Sequence, residues 1–203
     1  MPAPDFTDTV AGIAAMGRAF EGLAYEDALP LGMAPCDEPV GGPALAGYNA
    51  ENLEVLVADA SLDPRAPHRD KKADDDHQLA EELQRLEFKI NVLIQLVSRL
   101  LRRDATLPAV RPIRLYADGI EWLERGTVPA EGSHAVLNLH VSHQIPQPLL
   151  LPGRVVGFRD DAQGRWVQFA FAGLTPAVHE LLSRLIFRHH RRAIAGARGR
   201  VQA

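Results

Sequence analysis

At 203 residues, with 46% apolar and 24% charged side chains, the chain suits one soluble globular domain, or one domain carrying a large insertion. A formal net charge of −4 argues against bulk attraction to nucleic acid or membrane, although residues 74–76 are acidic and six arginines crowd residues 184–200. A single cysteine, Cys36, excludes an intrachain disulfide and, alone, a structural zinc site.

No basic and apolar leader opens the sequence, and no apolar run reaches the roughly 18 residues of a membrane span, so a reducing, cytoplasmic setting is expected. The spacing of Val10, Ile13 and Met16 predicts a short amphipathic helix over residues 6–20. A turn-rich, irregular stretch runs from Leu29 to Gly41-Gly-Pro, and a short strand ending near Leu31 is expected there. Residues 50–61 read as a helix with Leu53, Val57 and Ala60 on one face. Pro64 and Pro67 then break any helix, making residues 63–70 a linker.

Residues 75–104 carry the strongest pattern. Leu79, Leu83, Leu86, Ile90, Leu93, Val97 and Leu100 alternate in steps of four and three, the a/d seam of a coiled coil. Asp74, Asp75 and Asp76 at its start and Arg99, Arg102 and Arg103 at its end match the helix dipole, and Pro108 stops it. A helix of that length is about 45 Å long, too long for a small domain to cover. Placing Leu83, Ile90 and Val97 at a puts Ile94 and Leu101 at e and Leu96 at g, a stripe wider than a dimer needs. The β-branched residues at a, with leucine at d, point instead to two strands. A parallel four-stranded assembly is expected, or two strands sheathed by other helices; the bland alternative is a long core helix of one domain.

Strand texture follows. Ile113 and Leu115 alternate with Arg114 and Tyr116, and the alternation continues from Gly119 to Leu123. Leu137, Leu139 and Val141 share a face opposite Asn138 and His140. Two more strands flank the turn Asp160-Asp-Ala-Gln-Gly, which together suggests a small antiparallel barrel. Thr175 and Pro176 open a last helix as N-cap and first residue; Leu181, Leu182, Leu185 and Ile186 face inward, and the helix frays from Arg191.

Candidate chemistry is sparse. His134, His140 and His143 read as exposed strand histidines, since a spacing of three sends His140 and His143 to opposite faces. His189 and His190 end a helix, and Cys36 lacks a partner. Glu121 and Glu124 have no recognisable partner for paired-carboxylate work, so no catalytic residue and no metal site is expected. Three Arg-x-x-x-Arg matches, Arg99/Arg103, Arg184/Arg188 and Arg188/Arg192, fall on helices and read as solvated surface.

The succession Ile113-Arg-Leu-Tyr-Ala-Asp-Gly-Ile-Glu-Trp, Gly132-Ser-His-Ala-Val-Leu-Asn-Leu and Pro148-Leu-Leu-Leu-Pro-Gly-Arg-Val-Val resembles the PilZ domain, a bacterial barrel that senses cyclic-di-GMP. With the heptad helix ahead of it, the chain is most similar to the atypical, tetrameric PilZ family. The resemblance implies an α+β fold: a small antiparallel barrel with inserted long helices, an oligomeric coiled coil and a C-terminal helix. The implied divisions are residues 1–45 (N-terminal helix and first barrel strand), 46–107 (helical insertion), 108–192 (rest of the barrel and C-terminal helix) and 193–203 (flexible basic tail). Ordinary members bind the dinucleotide through an Arg-x-x-x-Arg pair ahead of the barrel and an Asp/Asn-x-Ser-x-x-Gly turn. Here Gly119 fits the glycine, but Tyr116 stands for the serine and Arg114 for the Asp or Asn, and no arginine pair lies near residues 20–25. Weak or absent direct cyclic-di-GMP binding is therefore expected, with no other cofactor. The resulting reading is a non-catalytic adaptor in motility, biofilm or virulence signalling, partnered by itself and by an unidentified signalling protein. A nucleic-acid-binding oligomer using the basic tail is the alternative.

Overall fold

The computed structural model describes residues 20–62, 107–142 and 144–201, together with residues 85–86, 89–90, 92–93 and 96–97. Among the described residues six strands are arranged as β1 (Tyr25–Cys36), β2 (Val110–Leu115), β3 (Gly119–Glu124), β4 (His134–Leu139), β5 (Leu149–Asp161) and β6 (Gly164–Phe171). They close an antiparallel barrel in the order β1-β2-β3-β6-β5-β4. Two helices, α1 (Gly42–Ser61) and α2 (Pro176–Val201), pack on it. The expected α+β barrel with a C-terminal helix is therefore present, and the chain between β1 and β2 is where the barrel is interrupted.

Strand β1 extends past Leu31, through residues expected to be irregular. It can do so because it changes neighbours: Tyr25 to Pro30 pair with β2, while Leu31 to Cys36 pair with β4. Each half has a free edge, where the missing N–H of Pro30 or Pro35 breaks no continuous ladder. Helix α1 begins at Gly42 and Pro43 rather than at residue 50, because proline at the first turn loses only an N–H that has no helical partner. Its buried face also differs from expectation. Leu53 and Val57 are exposed, and Asn49, Asn52, Val55 and Leu56 face inward.

The two asparagines explain that choice. The Asn52 amide donates to Leu150 O at 2.7 Å and its carbonyl accepts from Leu150 N–H at 2.7 Å, clipping α1 to β5. Asn49 donates to Gly173 O at 2.9 Å and accepts from Thr175 N–H at 2.8 Å, fixing the entry to α2. An apolar face would have left those backbone groups unpaired. At the next position Thr175 caps α2, its hydroxyl accepting from Val178 N–H at 3.4 Å.

The core is continuous from barrel to helices. Ile113, Leu115, Ile120, Trp122, Leu137, Leu139, Leu149, Leu151, Val167 and Phe169 fill the interior, and Val178, Leu182, Leu185 and Ile186 of α2 cap one end. Helix α2 continues to Val201, beyond the fraying expected at Arg191 and into residues read as a flexible tail.

Candidate functional site

The turn joining β2 to β3 carries the three degenerate motif positions. Tyr116 N–H donates to Gly119 O at 2.8 Å, closing the turn, and Phe171 N–H donates to Asp118 O at 2.9 Å, tying it to β6. Gly119 is needed for close approach. A Cβ there would lie 2.2 Å from the Phe20 ring and 2.5 Å from Phe169 O. The Phe20 ring also stacks on Tyr116, with centroids 5.3 Å apart and planes at 28°. Where ordinary members present small polar side chains beside the glycine, this turn presents two stacked aromatics.

Arg114 is engaged elsewhere. It stands on the outer face of β2, with Nε 3.1 Å from Glu26 Oε1 and a terminal nitrogen 3.7 Å from Glu121 Oε2. Its guanidinium lies 4.5 Å above the Trp166 ring, and Arg159 lies 5.4 Å from the same ring. Glu121 is almost wholly buried; it also takes a contact from Arg159 at 3.3 Å and accepts from Gln168 Nε2 at 2.9 Å. A buried carboxylate so surrounded is a structural hub, its charge shared between two guanidiniums and the Gln168 amide. Glu124 is likewise satisfied, by Arg111, the Trp122 indole at 3.1 Å and the N–H of Gly126 at 2.8 Å. Both carboxylates thus have the partners that sequence spacing could not reveal.

Other expectations need correction. His140 is buried rather than exposed on a strand face: it lies just past the end of β4, where its N–H donates to Pro30 O of β1 at 3.1 Å. Arg188 is no solvated surface residue: it pairs with Asp59, joining α2 to α1. Arg184 does lie exposed, on Glu180 at 2.5 Å, while Arg99, Arg103 and His143 lie outside the described residues.

Sequence reasoning missed a cleft of about 280 Å³ where the free edge of β1 meets both helices. Tyr25, Asp27, Asp59, Arg188, His189 and Arg192 line it. The Tyr25 hydroxyl donates to Asp27 at 2.5 Å, and the Tyr25 ring lies 4.0 Å from the His189 ring. Burial, then the Asp27 carboxylate, pushes the Tyr25 phenol far above its ordinary value. Burial holds the His189 imidazole below its ordinary value, with Asp59 acting against that trend. Two carboxylates face two guanidiniums, so the cleft is internally compensated. Its groups come from residues up to 167 positions apart in sequence, and no local motif could have signalled it. Among the described residues no cluster of three or more His, Cys, Asp or Glu is placed to hold a metal ion.

Of the heptad positions, Leu86, Ile90, Leu93 and Val97 are described, each within a helical residue pair. They are 53%, 53%, 60% and 54% exposed on the single chain. Leu79, Leu83 and Leu100 lie outside the described residues, as do residues 6–19 and 63–70.

A closed antiparallel barrel whose β2–β3 turn carries a close-approach glycine, capped by a C-terminal helix, defines the class as PilZ-type. The family described as the atypical PilZ domain, cyclic di-GMP receptor, matches residues 57–199, and the chain belongs to it. Among solved structures the chain is similar to a pathogenic protein from Xanthomonas campestris, described as a new tetrameric PilZ domain self-assembled via an unusual helical bundle. The two share 25% identity over 85% of this chain and 90% of that one, with a TM-score of 0.62. No curated protein matches the sequence. No helix among the described residues is long and apolar enough to cross a membrane.

Proposed function

We propose that this chain is a non-catalytic PilZ-like signalling adaptor that assembles as a tetramer through Leu79, Leu83, Leu86, Ile90, Leu93, Val97 and Leu100, and that binds cyclic-di-GMP directly only weakly or not at all. One observation carries the assembly. Leu86, Ile90, Leu93 and Val97 follow the seam spacing yet each is more than half exposed on the single chain. At roughly 1.5–3 kcal/mol per buried side chain, such a stripe strongly favours association. The tetrameric helical-bundle relative from Xanthomonas campestris supports the same reading.

Weak nucleotide binding follows from the turn. The Phe20 ring covers Gly119, Tyr116 stacks beneath it, and the Arg114 guanidinium is committed to Glu26, Glu121 and Trp166. Freeing Arg114 for a phosphate would take one of two guanidiniums from the buried Glu121 carboxylate. Calorimetry with cyclic-di-GMP tests this part. The expected result is no saturable binding at micromolar concentration, and a Kd below about 1 μM, or roughly −8.2 kcal/mol, would overturn it. The assembly is tested by light scattering of the wild type and of Ile90→Asp. A tetramer dispersed by the substitution is expected, and a wild-type monomer at micromolar concentration refutes the seam.

A further inference from the structure

Helix α2 is anchored in two different ways along its length. Its first half is set in the core through Val178, Leu182, Leu185 and Ile186, and His179 Nε2 lies 2.8 Å from Asp118. From Phe187 to Ile194 no side chain is buried; Arg188, His189 and His190 are half-buried and the rest are exposed. The second half is held at a joint of three elements. There Arg188 pairs with Asp59 of α1, and the His189 ring lies 4.0 Å from the Tyr25 ring of β1 with the planes at 30°. Two clefts share these rings as lining, so solvent protons reach the imidazole.

The joint is crowded with charge. On its own helix His189 has Arg188 before it and His190 and Arg192 after it; facing it are Asp59 of α1 and Tyr25, Glu26 and Asp27 of β1. Each carboxylate is engaged: Asp59 with Arg188, Asp27 with the Tyr25 hydroxyl at 2.5 Å, and Glu26 with Arg114 at 3.1 Å. A neutral imidazole suits this setting, since it packs on the phenol ring and adds no charge. A protonated one would be a third cation beside two guanidiniums, half removed from water. Burial, and then Arg192 and Arg188, already disfavour that form, against the pull of Asp59 and Asp27.

We infer that the His189–Tyr25 contact is a proton-operated latch: protonation of His189 in mild acid releases residues 187–201 of α2 from α1 and β1, while residues 176–186 stay on the barrel. The sign follows from the two states of the joint. Once released, the imidazole returns to its ordinary value of 6.5, whereas the docked one lies lower. As pH falls, the released state therefore takes up the proton first. Docking is complete above the ordinary value, weakens as pH drops towards the lowered one, and loses nothing further below it. The latch rests on neither the coiled-coil seam nor the nucleotide reading.

The test is amide hydrogen exchange on the full chain between pH 5 and pH 8, read as protection factors so that the intrinsic pH dependence of exchange is removed. Protection over residues 187–194 should fall reversibly by at least about threefold from pH 7.5 to pH 5.5, while residues 176–186 keep theirs. His189→Phe retains a ring against Tyr25 without a titrating proton and should hold protection constant across the range. His189→Lys fixes a charge at the joint and should leave residues 187–194 poorly protected already at pH 7.5. His190→Phe should respond to pH as the wild type does. Protection of the wild type that is independent of pH overturns the inference, as does an equal loss along the whole of α2. An unchanged response in His189→Phe overturns it too. The first two outcomes are read on the wild type alone, so the latch can fail without any variant.

Discussion

Gly119 stays bare because the Phe20 ring occupies the volume that a side chain would need. An alanine methyl there would collide with that ring and with the Phe169 carbonyl, and backbone cannot retreat as a flexible side chain can. Gly119→Ala should therefore lower unfolding free energy by about 1–3 kcal/mol, read as a drop in denaturant midpoint. The double variant Phe20→Ala with Gly119→Ala should recover part of the loss, as coupled neighbours do. Glu124 makes a prediction of a different kind. Burial works against its charge, but the Trp122 indole, the Gly126 N–H and Arg111 together hold its carboxyl below the ordinary 4.5. The unfolded chain then takes up this proton first as pH falls. The stabilisation is complete above the ordinary value and disappears as pH drops through the lowered one. Glu124→Gln should cost about 1–2 kcal/mol at pH 7, and the gap between variant and wild type should narrow as pH falls below the ordinary 4.5.

At the scale of elements, α1 hangs on two amides rather than on a leucine stripe. Replacing Asn52 by alanine leaves the Leu150 N–H and C=O without their partner at a nearly inaccessible site. That should cost about 2–4 kcal/mol and loosen α1 from β5, visible as faster hydrogen exchange along that helix. Asn52→Leu, which matches the apolar expectation for a buried helix face, should do no better, since it also leaves the backbone unpaired. The same contrast marks what could be read from sequence. The barrel strands and the Thr175 cap were legible, because period-2 alternation and capping chemistry are local. The buried face of α1 was not: Leu53 and Val57 satisfy helical spacing, and nothing within ten residues says that Leu150 and Gly173 need hydrogen bonds. The second half of β1 was illegible for a related reason, since Pro30 and Pro35 fit a strand that exchanges neighbours between them. The motif positions Arg114, Tyr116 and Gly119 were found by pattern, but their fate depended on Phe20, Glu121 and Trp166, which topology alone brings to them.

For the whole molecule, the proposed stalk and barrel make separable contributions. Four identical barrels on one helical bundle raise the effective concentration for a clustered partner without adding any contact, and gains of 100- to 10,000-fold over a single site are about the usual range. The contact itself would reside on the barrel exterior and α2. In the proposed tetramer Ile90→Asp would place four like charges in one layer, at several kcal/mol each before relaxation, so the assembly should fall apart while every barrel keeps its own core. The dispersed chains should unfold at nearly the wild-type denaturant midpoint, because Ile90 is 53% exposed and outside the barrel core. They should keep weak one-to-one partner binding and lose most of the avidity measured on a surface carrying the partner at high density. Full cellular function from a folded, dispersed variant would mean that the seam serves stability alone and that valency plays no part in signalling.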